Sequence, residues 1–427
     1  MRKMIKMSMA AVMMMGVGSV SVQAEGVDVL SNIKANGQIR ARYEMVDKDN
    51  TTPNANAFTN RLAIGVGADL FGTDWLSAYA EMTDVRALNG NYNDASADNG
   101  VEAHQVVADA EQTRLTQAYI DMKMGKTKLR IGRQAYNLDN VRFVGTVDWR
   151  QMPQTFDAYT ITDSTIENLN LFASYVTQVN RVFADEVGAN TKNWDTRTLL
   201  LNGSYKAMDE LKATAYGYLI GQGTGGSTGS DTYGLALTGD VKVSDGLKVS
   251  YRAEYAVQTD PSMENSGVTG NVDVDADYMN FTVDADVSGF LAGAQYEVLS
   301  GINGAGDTAF STPLATLHAH NGYGDMFLTT PAKGIEDLAL TLGYKSKEFG
   351  VLKATYHDFT SEVGSIDYAT ELDVVYTRAI PGVNGLNGML KFVDYCAGDT
   401  VAEGNYAAQA TDMTKVVAML DYKFATK

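Results

Sequence analysis

Alternation of apolar and polar residues with a period of two is the feature that most constrains how this chain can fold. In "IKANGQIRARYEM" (33–45), every second residue from Ile33 is apolar or glycine, and the residues between them are polar or charged. Successive side chains of a β-strand point to opposite faces, so the stretch predicts a strand with one apolar and one polar face. The same pattern recurs in "RLAIGVGADL" (61–70), "LKVSYRAEYAV" (247–257) and "KVVAMLDYKF" (415–424).

The N-terminal segment carries the pattern of an exported protein. Basic residues within the first six positions precede an uncharged, largely apolar run over 7–22, and the small residues of "VQA" end that run at Ala24. This order predicts a secretory signal peptide over residues 1–24, with cleavage after Ala24. A membrane-anchoring helix is the less favoured alternative because the run is short and contains glycine.

Residues 25–427 show no boundary between domains, and they predict a single domain. The 427-residue chain has only 6 prolines, and no Pro-rich linker or charge block divides it. Its one cysteine, Cys396, excludes an intramolecular disulfide, which in an exported chain is typical of a bacterial envelope protein. The formal charge of −18 argues against nucleic acid as a partner.

Short connections alternate with long ones between the predicted strands. "FGTD" (71–74) and "SDG" (244–246) are short, whereas most of 87–113 and about 301–335 belong to long connections. Such hairpins predict an all-β fold, a transmembrane antiparallel β-barrel of about 18 strands with short periplasmic turns and long extracellular loops. Strands of this length cross a bilayer when tilted, and they must close into a ring because lipid offers unpaired backbone groups no partner. The protein is therefore predicted to lie in the outer membrane of a Gram-negative bacterium.

In such a barrel the apolar faces meet lipid and the polar faces line a lumen. About eighteen strands leave a lumen too wide for side chains alone to fill, so either water or infolded loops must occupy it. The loop sequence with His318 and His320 could be read as a metal site, but no third fixed ligand accompanies them, and neither a metal nor a cofactor is predicted. The candidates for an infolded loop are His318, His320, Asn321 and Asp325.

The arginines concentrate in the first half of the mature chain. Beyond residue 24, all but Arg252 and Arg378 lie at or before Arg197. Guanidinium groups along one wall would make an electropositive strip that holds carboxylates or phosphates. The candidates for lining the lumen and contacting solute are Arg40, Arg42, Arg61, Arg130, Arg133, Arg142, Arg150 and Asp157.

The same arginines could instead pair with carboxylates of the wall. Cross-strand ion pairs would stiffen the barrel without touching solute, and both roles can hold for different members of the set. The acidic residues predicted as partners are Glu44, Asp69, Glu81, Asp121 and Asp157.

Three long blocks of the sequence resemble the alginate-export family of outer-membrane barrels. They are "LRIGRQAYNLDNVRFVGTVDWRQMPQTFDAYTI" (129–161), "TPLATLHAHNGYGDMFLTTPAKGIEDLALTLGY" (312–344) and "ATYHDFTSEVGSIDYATELDVVYT" (354–377). The resemblance implies a single outer-membrane barrel. The family's named member secretes an anionic polysaccharide and is gated by a long periplasmic turn. The matching turn here, "AIPGVNGLNG" (379–388), is short, so that gate is expected to be absent.

These observations predict a porin-like channel for the passive passage of small polar or anionic solutes, related to alginate and polysaccharide exporters. The alternatives are a dedicated anionic-polysaccharide export pore and a structural or adhesive surface barrel. No catalytic arrangement emerges from the sequence, so an enzyme is not predicted. The expected partners are outer-membrane lipid, small solutes and the envelope assembly machinery.

Overall fold

The computed structural model describes residues 23–24, 27–96, 99–184, 191–221, 229–263, 274–302, 308–399 and 409–426. Most of the predicted signal peptide lies outside these residues, and its cleavage stays a prediction. Two short strands, β1 (Gln23–Ala24) and β2 (Val27–Asp28), pair with each other ahead of the main sheet.

Eighteen strands, β3 to β20, form one closed antiparallel barrel in which sequence neighbours pair and β20 returns to β3. The strands are β3 (Leu30–Lys48), β4 (Ala55–Leu70), β5 (Leu76–Ala87), β6 (Gln112–Met124), β7 (Thr127–Gln134), β8 (Thr155–Asp163), β9 (Leu169–Asn180), β10 (Asn193–Met208), β11 (Leu211–Ile220), β12 (Ser230–Ser244), β13 (Leu247–Thr259), β14 (Asp275–Val287), β15 (Phe290–Leu299), β16 (Ile335–Ser346), β17 (Gly350–Thr360), β18 (Asp367–Ala379), β19 (Leu386–Ala397) and β20 (Met413–Ala425). The predicted fold class is confirmed.

Connection lengths alternate around the barrel as predicted. On one side the strands are joined by short turns such as 125–126, 209–210 and 288–289. On the other side lie the two longest connections, 88–111 and 300–334. In outer-membrane barrels the short turns are periplasmic and the long loops extracellular, which orients the chain.

The apolar positions of the strands face outward. On β13, Tyr255 is 55% exposed whereas its neighbour Glu254 is 3% exposed and points into the lumen. Val257 follows Tyr255 on the outer face, and Ala256 and Gln258 are buried on the inner face. The outer band therefore meets lipid, and the parity predicted for this strand is correct.

A charge placed on that band should destabilise the barrel. Ala253 lies at the middle of β13, beside the outward-facing Leu237 and Phe281. Ala253→Arg is expected to lower the free energy of unfolding by about 2–4 kcal/mol, because an arginine near the bilayer midplane loses its hydration. Equilibrium unfolding in lipid vesicles measures this. The matched control is Thr282→Arg, one strand away on the lumen side. Equal stability of both variants would mean that the assigned register is wrong.

Two long loops fold into the barrel and pair with each other. Val144 of loop 135–154 forms a parallel bridge with Leu314 of loop 300–334. The N–H of Gly145 donates to the Leu314 carbonyl at 2.9 Å. The second loop also contains the short 3₁₀ helix η1 (Leu317–Ala319). Among the described residues, no helix is long and apolar enough to cross a membrane.

An apolar core forms inside the barrel, between the infolded loops and the wall. Phe143 and Phe310 from the two loops lie 6.1 Å apart, measured between ring centroids. Phe143 also packs on the lumen-facing rings of Tyr216 and Tyr278. These tyrosines do not belong to an outer aromatic girdle, because their strands turn them toward the loops. The lumen is thus filled by packed loops at this level.

Candidate functional site in the barrel lumen

Arg42 of β3 connects the wall of the barrel to loop 88–111 and loop 135–154. It is almost fully buried, and its guanidinium pairs with Asp109 of loop 88–111 and, at 3.2 Å, with Glu44 on its own strand. The same group donates to the carbonyl of Trp149 in loop 135–154 and lies 4.9 Å from the Trp149 ring centroid. Because the side chain points from β3 into the lumen and contacts both loops, Arg42 fixes these loops to the wall.

Arg40 and Arg61 hold the same loop at a second point. The Nη1 of Arg40 donates to the carbonyl of Asp148 at 2.6 Å, and its Nη2 lies 3.4 Å from Asp421 of β20. Arg61 forms an ion pair with the Asp148 carboxylate. The Asp148 side chain stays 43% exposed, so this end of the network faces open lumen.

Asp325 is the centre of the ion network. One carboxylate oxygen accepts from Nδ1 of His318 at 2.7 Å, and the other accepts from Lys415 at 2.8 Å and from Arg150 at 3.2 Å. Arg150 also reaches Glu44 at 3.4 Å. A continuous chain of charged contacts therefore runs from β20 through loop 300–334 and loop 135–154 to β3.

His318 extends this chain to β19. Its Nε2 accepts from Lys391 at 2.7 Å, and its ring stacks on Trp149 with centroids 3.9 Å apart. Burial lowers the pKa of His318 to about 3; Asp325 opposes this shift and Lys391 adds to it. The ring is therefore neutral at physiological pH, with its proton on Nδ1.

The buried neutral ring makes the barrel sensitive to acid. The unfolded chain binds a proton at His318 below pH 6.5 and the folded chain only near pH 3, so stability should fall as the pH drops through this window. His318→Gln is expected to flatten that fall. Thermal unfolding between pH 7 and pH 4 measures it. The control is His104→Gln, whose ring bonds the Asn54 carbonyl in the extracellular loops. An unchanged slope in His318→Gln would contradict the prediction.

Arg142 and the remaining infolded-loop candidates form a second buried cluster. Arg142 donates to the side-chain oxygen of Asn321 at 3.0 Å and lies 3.3 Å from Glu297 of β15. Asn321 in turn donates to Glu297 at 2.8 Å. Burial, followed by the charge of Arg142, lowers the pKa of His320 to about 4.

Arg130 lines the periplasmic half of the lumen. It makes a paired contact with Asp121 at 2.6 and 2.7 Å, and its guanidinium lies 3.6 Å from the ring centroid of Tyr119. Tyr119 and Asp121 border a cavity of about 480 Å³ that also reaches Lys34.

Arg133 and Asp157 do not line the lumen, which corrects the sequence prediction. They form a paired contact at 2.7 and 2.9 Å, but Arg133 stands three positions after the inward Arg130 and so has the opposite parity. Asp157 shares its parity with the exposed Tyr159 and Ile161. The pair lies on the outer face where β7 and β8 enter their extracellular loop, a level at which headgroups can solvate charge.

The sequence interpretation missed a group of buried acidic residues on β16 and β18, three to five strands from β3 around the barrel. Glu371 and Asp373 of β18 are buried and accept the backbone N–H groups of Gly324 at 2.8 Å and Tyr323 at 3.1 Å. Asp337 of β16 accepts from His357 at 2.8 Å. Acidic residues at alternate positions of "ELD" (371–373) were the available signal. These acids face the tip of loop 300–334 from the wall.

Within the described ranges, no three His, Cys, Asp or Glu side chains are grouped so that they could hold a metal ion. Asp307, considered as a partner of His318 and His320, lies outside the described residues. The chemistry of the site is therefore that of ion pairs and hydrogen bonds in a loop-filled lumen.

A closed barrel of eighteen strands with a polar, loop-narrowed lumen defines a channel of the outer membrane. Residues 32–281, more than half of the chain, match the family described as alginate export, and the protein belongs to this family. A comparison with curated proteins finds no match.

Several solved structures share the fold. OccAB4 of Acinetobacter baumannii aligns with a TM-score of 0.67 at 14% identity, covering 93% of this chain and 99% of that chain. OpdK of Pseudomonas aeruginosa, solved with vanillate, aligns with a TM-score of 0.68 at 12% identity, covering 93% and 100%. OpdQ of the same organism gives 0.66 at 15% identity, covering 93% and 100%. At these identities the likeness concerns the barrel fold.

Proposed function

We propose that the channel passes small polar or anionic solutes passively and does not export a polysaccharide chain. The observation that carries this proposal is the buried ion network around Asp325, which ties loops 135–154 and 300–334 to the wall. An extended polymer would need a wide and continuous lumen. Loops fixed across the lumen favour solutes that can pass between them.

The charge distribution supports a preference for polar and anionic solutes. Cationic side chains of β3 and β4 and carboxylates of β15, β16 and β18 project into the same lumen from different parts of the wall. Charges of opposite sign at separate places on the wall create a field within the lumen. Polar molecules can orient in such a field, whereas apolar ones gain nothing from it. Solute contact by the candidate arginines is part of this proposal, with Arg40, Arg61 and the partly exposed Asp148 as the members nearest open lumen.

Single-channel recording in planar bilayers under a salt gradient tests the proposal. We expect discrete conductance steps and a reversal potential on the anion side. In vesicle-swelling assays a monomeric uronate should pass and long alginate chains should not. Absence of any conductance would favour a structural or adhesive barrel. Passage of the polymer would favour a dedicated export pore.

The same proposal covers the processing of the chain. Residues 1–24 would be removed as a signal peptide, residues 25–427 would form the barrel domain, and the envelope assembly machinery would insert it. No catalytic activity is assigned to it. N-terminal sequencing of the protein extracted from outer membranes should begin at Glu25.

A further inference from the structure

Two adjoining cavities lie between the extracellular loops, and the smaller one reaches the ion network at Arg150 and Asp325. Their volumes are about 570 and 400 Å³, within the range of small-molecule sites. They share four lining residues, Arg181, Pro313, Leu317 and Leu328, and so meet at the guanidinium of Arg181. We call these two cavities together the mouth site.

Arg181 has no ion pair with any of the described residues. Its Nη1 lies 3.4 Å from the carbonyl of Thr191, and its guanidinium lies 4.6 Å from the ring centroid of Phe183. The other arginines of the lumen, such as Arg42 and Arg150, have carboxylate partners. A guanidinium with unused donors beside a cavity is suited to a bidentate anion.

The remaining charges of the mouth site also favour an anion. Of the residues that the structure describes, no carboxylate lines the larger cavity. The smaller cavity has one, Asp325, which is already bound by three partners. Lys48 lines the smaller cavity, and its ammonium has the sulfur of Met326 at 3.4 Å as its neighbour.

Apart from Arg181, the wall that the two cavities share is apolar. Leu317 and Leu328 border both cavities, next to the shared arginine. The larger cavity continues along the side chains of Leu299, Ile302, Phe310 and Phe327. A solute surrounded by hydroxyl groups would lose hydration against these walls without regaining hydrogen bonds, whereas an apolar body would gain by burial.

We propose that the mouth site binds amphipathic monoanions, with the anionic group on Arg181 and an apolar body against Leu317 and Leu328. This inference rests on the proposed function as a small-solute channel and names the class of solute that is concentrated at its extracellular end. An inorganic anion would leave the apolar walls in water. Next to Arg181, the hydroxyl groups of a sugar acid would meet the apolar side chains of Leu317 and Leu328. A compact carboxylate with a hydrocarbon body satisfies both parts of the site.

Binding can be measured without transport. The protein has 3 tryptophans, and Trp194 and Trp149 line the larger and smaller cavity, respectively. Trp75 precedes β5 at the periplasmic end, and Trp75→Phe removes its background. Cyclohexanecarboxylate is the probe, because it absorbs little near the tryptophan band. Gluconate is the polar monoanion for comparison, and cyclohexanemethanol is the neutral one. All are titrated against the full-length barrel in nanodiscs.

Cyclohexanecarboxylate should change the fluorescence saturably and bind at least about tenfold more tightly than either comparison compound. Arg181→Gln should weaken that binding roughly tenfold or more, the size expected for the loss of one charge-assisted contact. Leu328→Asn should weaken it while leaving gluconate unaffected. The control is Arg86→Gln, an arginine that pairs with Asp84 at the outer rim.

Equal binding of gluconate and cyclohexanecarboxylate would overturn the amphipathic assignment, and unchanged affinity in folded Arg181→Gln would overturn the role of the arginine. Should Arg181→Gln fail to fold, the Leu328→Asn result decides. A barrel that binds the probe but conducts no ions would contradict the proposed channel function and still support the mouth site. A conducting barrel that does not bind the probe would sink the mouth site alone.

Discussion

Replacement of Asp325 by asparagine is expected to raise the single-channel conductance and the open-channel current noise. The carboxylate holds Lys415, Arg150 and His318 at one point of the lumen. Asparagine keeps one acceptor oxygen but loses the charge, so Lys415 loses its carboxylate partner while Arg150 keeps only Glu44. The tip of loop 300–334 is expected to dissociate from the wall for part of the time, because the contacts of residue 325 are weakened.

The size of the effect follows from the burial of the network. Breaking a buried ion pair by removing one partner costs about 3–5 kcal/mol. A change of that size shifts the ratio of seated to unseated loop by more than about a hundredfold. The backbone contacts of Tyr323 and Gly324 with the β18 acids remain, so the loop should fluctuate around its seat and the barrel itself should stay closed.

Planar-bilayer recordings of Asp325→Asn beside Glu102→Gln test this prediction. Glu102 lies exposed in loop 88–111, and its replacement removes the same charge from the same side of the barrel. The control variant should keep the wild-type conductance. If both variants behave like the wild type, the loop does not limit the current and the network has only a structural role.

The strands could be predicted because their signal is local. Alternation over about ten residues defines a strand, and the sorting of connection lengths defines its direction. The observed strands β3, Leu30–Lys48, and β13, Leu247–Thr259, contain the alternating stretches 33–45 and 247–257. The closed ring then follows because lipid does not tolerate an open edge.

The contents of the lumen could be predicted only in part. His318 and Asp325 were candidates because they lie in a long loop that could fold into the lumen, whereas Asp109, the partner of Arg42, carried no signal of its own. The two are separated by 67 residues, and an aspartate in a polar loop looks like any solvated aspartate. Contacts between loops depend on how the loops fold back, which a period of two does not encode.

Arg133 shows that the face on which a strand residue lies must be counted from a residue whose face is known, here Arg130. The sequence grouped it with Arg130 because both are basic and close together. Three positions along a strand, however, place a side chain on the opposite face. The structure pairs it with Asp157 on the outer face. A polar pair near the end of a strand is compatible with the membrane surface, so polarity alone could not assign the face.

Arg42→Gln is expected to cause the largest loss of stability among single changes in the lumen. The guanidinium compensates Asp109 and Glu44, and all three side chains are essentially excluded from solvent. Without it Asp109 loses its cation and Glu44 keeps only Arg150, at 3.4 Å, so we expect a cost of about 3–5 kcal/mol. The added net negative charge should also shift the reversal potential toward cations. Thermal unfolding and salt-gradient recordings on one preparation measure both.

A second change should separate the ion pair from mere side-chain packing. Asp109→Asn in the Arg42→Gln background removes one of the uncompensated charges, so it is expected to restore part of the stability and part of the selectivity. The coupling energy of this cycle should reach about 2–3 kcal/mol, the upper range for contacting residues.

The matched cycle uses Arg130 and Asp121, a paired contact within the wall that is more accessible and touches no loop. Its coupling should be smaller, because solvent screens a partly exposed pair. If the two cycles give the same coupling, burial by the loops adds nothing to the Arg42 pair. The arginines of β3 would then act on solute through their charge alone, and the loops would be free to move past them.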